Sequence, residues 1–290
     1  MRTRTNVALQ MRIAAQLANV IDPALEYGPD LRKRTHTMTQ IRKTVSMSPE
    51  EQQTREELAA CYRLAALHRF TDLIYTHITA RVPGEDGTFL INPYGWRWEE
   101  ITASSLVKID VDGNKVDGSP HRVNPAGFTI HSAVHMNRHD AAWIMHTHTR
   151  AGVAVSCMEQ GLLPLNQISL QFHNRVGYHD FEGIALDLAE RERIVADFGT
   201  HPVLILRNHG LIATGRSAAE MFNNMFYLER ACEIQIAATS SGQPLRLVED
   251  DIAQRVHGQY VQMNEDDGDL ELEWQAHLRS IAGLGADYRD

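Results

Sequence analysis

The chain has 290 residues, of which 43% are hydrophobic and 22% charged, as in ordinary folded proteins and unlike disordered or fibrous ones. Its formal net charge of -9 argues against a nucleic-acid partner, because phosphate binding requires a dominant patch of Lys and Arg. No apolar run is long enough for a membrane helix or forms a secretion signal. We therefore expect a protein without a nucleic-acid or membrane partner.

The three cysteines indicate the compartment. Cys61, Cys157 and Cys232 lie far apart and form no CxxC pair, so no disulfide framework is expected. This favours a reducing, cytoplasmic setting. Residues 1–47 are predicted to be a flexible N-terminal extension. Arg2, Arg4 and Arg12 precede the first acidic residue, Asp22, which is also typical of a transit peptide, and an upstream start codon is a further alternative.

The folded domain is predicted to begin with a helix near residue 48. Ser48 can cap it, Pro49 suits its first turn and Glu51 completes a capping box. A turn-rich region follows, with a strand at 88–92 and a hairpin turn at 112–114, where Asp, Gly and Asn stand in succession. This part of the chain is therefore predicted to contribute to a sheet.

Helices and strands alternate through the next segment. We predict helices at 124–139, from Asp187 with Glu190 to a stop at Gly199, and from Ser217 with Glu220 to about Ser241, and strands at 141–149 and on both sides of a turn within 201–215. Because hairpin signals are mixed into this alternation, the expected class is α/β, with a mixed sheet covered by helices on both faces.

The segment 251–290 is predicted to be a C-terminal tail beyond a domain at 48–250. It is acidic and contains aromatic residues, including Glu265, Asp266, Asp267, Trp274 and Tyr288. The tail by itself offers little hydrophobic core in which its apolar side chains could be buried. We therefore expect the tail to pack on a neighbouring subunit.

Histidines follow two of the predicted strands. His146 and His148 stand two apart at the end of an apolar strand, and side chains at i and i+2 point to the same face. His209 follows the strand VLIL, and Gly210 after it permits a sharp turn. Three neutral imidazoles would leave coordination positions open, as at catalytic metal sites. The alternative is an exposed or hydrogen-bonded HxH pair, and spacing alone does not select the third ligand.

Four segments carry a resemblance to a known family. They are LIYTHITARVPG, HSAVHMNRHDAAWIMHTHTRAGVAVS, GLLPLNQISLQFHNRVGYHDFEG and LILRNHGLIATGRSAAEMF. The stretch from about 48 to 245 resembles a class II aldolase/adducin domain. The resemblance implies a three-layer α/β/α fold, a divalent metal ion on His146, His148 and His209, and commonly a homotetramer with active sites between subunits. Zn²⁺ is the first expectation for the ion, with Fe²⁺, Mn²⁺ or Co²⁺ as alternatives.

The chain departs from the sugar-phosphate aldolases of this family at two places. Those enzymes carry a proton-transferring glutamate four residues before the position of His131, where this chain has Gly127. Glycine can neither accept nor donate that proton. Their phosphate-binding Gly-Asn-x-Ser loop and serine pair are replaced by residues 75–79 and by Pro125 and Ala126. These changes favour an unphosphorylated substrate and the adducin-like branch.

Other side chains are candidates for the remaining chemistry. His131, His173 and His179 are candidate proton carriers, since an ordinary imidazole titrates near neutrality. His131 could instead be a packed or supporting residue, and the other two could be ordinary loop histidines. Arg150 could bind a substrate carboxylate; the simpler interpretation is that it is a solvated charge at the end of a strand.

Three functions follow from these features. The favoured one is a metal-dependent lyase, of the aldolase or decarboxylase type, that acts on an unphosphorylated carbonyl or carboxylate substrate. The second is a non-catalytic, adducin-like binding or assembly protein, since the resemblance includes adducins, which keep the scaffold without a known reaction. The third is a mononuclear non-haem iron oxygenase, because imidazole also suits Fe²⁺.

Overall fold

The computed structural model describes residues 47–183, 189–266, 268–284 and 287–290. Residues 1–46 of the predicted extension lie outside the described part of the chain. The helices are α1 Pro49–Leu67, α2 Pro125–Asn137, α3 Arg150–Ser156, α4 Glu190–Phe198, α5 Ala218–Ser240, α6 Asp250–Asp266 and α7 Asp269–Ile281. The strands are β1 His77–Arg81, β2 Thr88–Ile91, β3 Val107–Asp110, β4 Trp143–Thr147, β5 Val176–His179, β6 Val203–Leu206 and β7 Gly210–Gly215.

The seven strands form one mixed sheet in the order β3-β2-β1-β4-β7-β6-β5. All neighbours are antiparallel except β5 and β6, which are parallel. In the centre of the sheet, β4 pairs with β1 and β7, and His77 of β1 lies directly opposite His146 of β4. The predicted mixed sheet is confirmed.

Helices cover both faces of this sheet. Met145 and Ile205 belong to one buried apolar cluster with side chains of α1 and α5, such as Leu58 and Phe222. The adjacent strand residues Ile144, Leu204 and Ile212 belong to another, with side chains of α2 and α4. Successive side chains of a strand point to opposite faces, so the two clusters lie on opposite sides of the sheet. The fold is therefore the expected three-layer α/β/α arrangement.

The helix starts follow local capping chemistry. The Ser48 hydroxyl accepts a hydrogen bond from the backbone N–H of Glu51 at 3.1 Å, and Ser217 does the same for Glu220 at 3.2 Å. Both predicted caps are therefore present. The start signal at Asp187 lies outside the described residues. Helix α4 begins at Glu190 and ends before Gly199, which takes a left-handed φ of 53°.

The C-terminal segment forms α6, α7 and a 3-10 helix at Asp287–Arg289. Trp274 and Tyr288 are only 6% and 4% exposed, and both belong to the same apolar cluster as α1 and α5. These two aromatic groups are therefore covered within their own chain, while the packing of the tail on a neighbouring subunit stays a prediction. The side chains of Glu265 and Asp266, and residue 267, lie outside the described part. Among the described helices, none has the length and apolar character to cross a membrane.

Candidate metal centre

The structure brings three histidines together at one end of the central strands. His146 is in β4, His148 follows two residues later, and His209 lies in the turn between β6 and β7. One ring nitrogen from each lies within 4.8 Å of the other two. Their ring centroids are 4.7 to 4.9 Å apart. This separation suits three imidazoles that share one ion at about 2.1 Å from each nitrogen.

The turn that positions His209 differs from the one inferred from the sequence. The left-handed residue is Asn208, with φ 58°, and not Gly210. Asparagine tolerates this conformation better than most residues with a side chain. Gly210 is required for another reason, because a Cβ there would lie 2.3 Å from the backbone oxygen of Thr147. The glycine allows β7 to approach β4 closely beside the histidines.

Hydrogen bonds orient two of the three rings. The Nδ1 atom of His146 lies 3.0 Å from the backbone oxygen of Leu211 and must donate to it, which leaves Nε2 without a proton in the neutral ring. The Nδ1 atom of His148 lies 2.8 Å from a carboxylate oxygen of Asp72. The two Nε2 atoms face each other at 3.0 Å. A carboxylate or carbonyl behind an imidazole is the usual support of a metal-binding histidine, so these residues fit a divalent ion.

Burial keeps the rings of His146 and His209 neutral. It lowers the pKa of His146 well below its ordinary value, and the neighbouring His209 and His148 lower it further. The pKa of His209 falls to about 4, again through burial first and then through His148 and His179. A neutral imidazole has a free lone pair, so the site is prepared to bind a cation near neutral pH.

His131 lies in α2, close to the three histidines but separated from them by another ring. Its Nδ1 atom is 2.7 Å from the Thr79 hydroxyl, which is also 2.8 Å from Nε2 of His135. The ring of His77 stands 4.1 Å from that of His131 and 5.4 Å from that of His146, measured between centroids. His131 is fully buried and its pKa is lowered, by burial first and then by His77. These contacts suit a supporting role.

Two residues of this site were missed by the sequence analysis. His77 was noted only as part of a changed phosphate loop, although it lies directly opposite His146 in the sheet. Asp72 carries no spacing signal, because it reaches His148 from a loop 76 residues away in sequence. Both depend on the pairing of β1 with β4, which a single sequence does not specify.

His179 lies near the centre within a separate set of contacts. Its Nδ1 atom is 2.7 Å from Asp197 and its Nε2 atom 3.4 Å from Glu190. It lines a small pocket together with His209 and Phe181. The structure therefore places His179 beside His209, with a carboxylate near each of its ring nitrogens.

The other two candidates lie apart from the three histidines. His173 pairs through Nε2 with Asp250 at 3.0 Å, at the first residue of α6. Arg150 is the exposed first residue of α3. Among the contacts of the described residues, none joins either side chain to the histidines. Their assignments to proton transfer and carboxylate binding remain predictions.

Comparison with known proteins agrees with this fold. The family model described as the class II aldolase and adducin N-terminal domain matches residues 56–236. The chain therefore belongs to the class II aldolase and adducin family.

Similar proteins include both bacterial and animal members. A Caulobacter vibrioides protein with a provisional aldolase class 2 name is 56% identical over 208 residues, which are 72% of this chain and 81% of that protein. Alpha-adducin of Rattus norvegicus is 47% identical over 209 residues, which are 71% of this chain and only 28% of adducin.

Solved structures of two similar proteins match most of the chain. An aldolase II superfamily protein from Pseudomonas syringae is 50% identical with a TM-score of 0.79, and the match covers 84% of this chain and 97% of that one. L-fuculose 1-phosphate aldolase from Glaciozyma antarctica is 26% identical with a TM-score of 0.74, over 85% and 95% of the two chains.

Proposed function

We propose that this chain holds one divalent metal ion on His146, His148 and His209 and acts as a metal-dependent lyase. The observation that carries the proposal is the convergence of three ring nitrogens, with the rings of His148 and His146 oriented by Asp72 and the Leu211 carbonyl. A divalent ion held there would supply a Lewis acid that polarises a substrate carbonyl. Zn²⁺ suits the three imidazoles best, and Fe²⁺, Mn²⁺ or Co²⁺ are the alternatives.

The proposed substrate is an unphosphorylated carbonyl or carboxylate compound. The Thr79 hydroxyl occupies the last position of the changed phosphate loop, and His131 and His135 already engage it. The Thr76 hydroxyl is likewise bonded to the backbone oxygen of Tyr75 at 2.5 Å. These hydroxyls are therefore committed to the protein itself, which argues against a phosphate group at this place.

Metal analysis tests the first part of the proposal. We expect close to one divalent ion per chain in the wild type and a large loss in His146→Ala and in His209→Ala. His139→Ala is the matched control, since His139 is exposed and belongs to none of these contacts. Full metal content in both site variants would refute the site.

A coupled assay with fuculose 1-phosphate tests the substrate class. We expect no turnover by the metal-loaded protein, because the base position is Gly127 and the loop hydroxyls are engaged. Turnover at ordinary enzymatic rates, about 1 per second or more, would contradict the proposed substrate class.

A non-catalytic, adducin-type role is the second candidate. The 47% identity to alpha-adducin over 209 residues favours it. The two functions differ in one measurable respect, since a lyase consumes a small carbonyl or carboxylate compound and a binding protein does not. Screening the metal-loaded protein against unphosphorylated hydroxy acids, aldehydes and keto acids, with the His146→Ala variant as blank, separates them.

A further inference from the structure

The side chain of His77 fills the space beside Gly127. A Cβ built on Gly127 would lie 2.8 Å from Nδ1 of His77 and 2.9 Å from two ring carbons. The His77 ring has little room to move away, because it is 2% exposed and the ring of His131 stands 4.1 Å from it. Residue 127 and His77 therefore compete for one volume, and in this chain the imidazole occupies it.

The same imidazole faces the metal-binding histidines. His77 and His146 are directly opposite in the antiparallel pair β1–β4, so both side chains stand on one face of the sheet. Their ring centroids are 5.4 Å apart. His77 is not among the residues whose ligand atoms converge within 4.8 Å, so its position is beside the ion and not on it.

Both ring nitrogens of His77 are buried, and neither has a hydrogen-bond partner among the described residues. Buried polar atoms are nearly always paired, so two such atoms on one ring beside a metal centre indicate a partner that comes with a ligand. A neutral imidazole can donate one hydrogen bond and accept another, which suits a hydroxyl or carbonyl oxygen.

We propose that His77 occupies the volume vacated at Gly127 and donates a hydrogen bond to an oxygen atom of a small hydroxy-acid or carbonyl ligand coordinated to the ion. This inference rests on the metal site of the proposed function. It assigns His77 to ligand binding, with His146, His148 and His209 alone holding the ion.

A cobalt-loaded protein with glycolate as the probe tests the ligand-binding part. Glycolate should change the visible spectrum of the wild type and of His139→Ala in a saturable way. His77→Ala should keep one Co²⁺ per chain and bind glycolate about 10-fold more weakly, the loss expected for one buried hydrogen bond. His77→Gln, which retains a donor, should recover part of the affinity.

The possible outcomes separate the inference from the proposed function. Unchanged glycolate affinity in His77→Ala overturns the inference, and so does loss of cobalt from that variant, because His77 would then be a ligand of the ion. A wild type that binds cobalt but not glycolate also overturns it, while the metal site stands. Failure of the wild type to bind cobalt would contradict both the inference on His77 and the proposed metal site.

A second experiment tests the shared volume through stability and needs no metal. Gly127→Ala should lower the melting temperature by about 4 °C or more in the wild type, because its Cβ would overlap the His77 ring. In the His77→Ala background the same change should raise the melting temperature, since alanine favours a helix over glycine. Equal shifts in both backgrounds would show that His77 does not fill this space.

Discussion

The contact between Asp72 and His148 can be tested without changing any of the three metal-binding histidines. Asp72→Asn keeps the size of the side chain but removes the charge behind the ring. We expect metal affinity to fall about 10- to 100-fold, as is typical when such a supporting carboxylate is lost. Competition with a coloured chelator measures this.

Asp112→Asn is the control for that change, because Asp112 is an exposed turn residue. Its affinity for the metal should match that of the wild type. If Asp72→Asn also bound the metal as tightly as the wild type, the 2.8 Å bond to His148 would not orient the ring for the ion.

His135 gives a prediction on acid stability. It is 4% exposed, and burial first and Arg81 second lower its pKa to about 3. The unfolded chain binds a proton at this residue near pH 6.5, whereas the folded protein does not until about pH 3. The contribution of His135 to stability is therefore complete above pH 6.5 and declines as the pH falls towards 3, by up to about 1.4 kcal/mol per pH unit.

The measurement is urea unfolding of the metal-free protein at pH 7 and pH 5. His135→Gln should lose less stability between these two values than the wild type, because the buried titrating group is gone. His139→Gln, four residues further along and exposed, should follow the wild type. If His135→Gln lost as much stability between pH 7 and pH 5 as the wild type, other groups would be responsible for the acid sensitivity.

At the scale of elements, the sequence predicts best where the signal is local. The caps at Ser48 and Ser217 and the apolar strand before His146 lie within single segments of the chain, and all three are present. The short strands β1 and β5 were not predicted, because four or five residues are too few to show a reliable period. Their partners are also distant in the sequence, so their register depends on the folded sheet.

The same distinction applies to the candidate site. The HxH pair was visible because two residues on one strand end share a face by local geometry. The place of His209 was correct, but Asn208 and not Gly210 supplies the left-handed turn. His77 and Asp72 were missed because both reach the site through the pairing of β1 with β4.

The strand pair β4–β7 gives a prediction for an element. Gly210→Ala should destabilise the protein by several kcal/mol, on the order of 3, because its Cβ would meet the backbone of Thr147 and not a movable side chain. Metal binding should weaken with it, since His148 and His209 flank the same contact. Urea unfolding and metal content measure the two effects.

Gly258→Ala is the matched control. Gly258 lies inside α6 with nothing near its Cβ position, so alanine there should stabilise the helix by about 1 kcal/mol. The two substitutions should therefore change the stability of the protein in opposite directions. A neutral Gly210→Ala would mean that β4 and β7 can separate at this point without loss.

At the scale of the whole molecule, the C-terminal helices complete the fold of their own chain. Glu273 of α7 accepts hydrogen bonds from Tyr227, at 2.6 Å, and from Asn223, both on α5. The rings of Trp274 and Phe222 are 6.3 Å apart between centroids. The homotetramer suggested by the family resemblance remains a prediction, and light scattering should give four times the chain mass of 32.7 kDa.

Trp274 separates a role within the chain from a role between chains. Trp274→Ala removes a side chain that is 6% exposed, and we expect a loss of about 3 to 5 kcal/mol in the free energy of unfolding. Leu272→Ala, in the same helix and 66% exposed, should change it by less than about 0.5 kcal/mol. If Trp274→Ala kept its stability at the level of single chains but lost the tetramer in light scattering, the segment would act mainly between subunits. Loss of stability at every protein concentration supports the packing of α7 on α1 and α5 of its own chain.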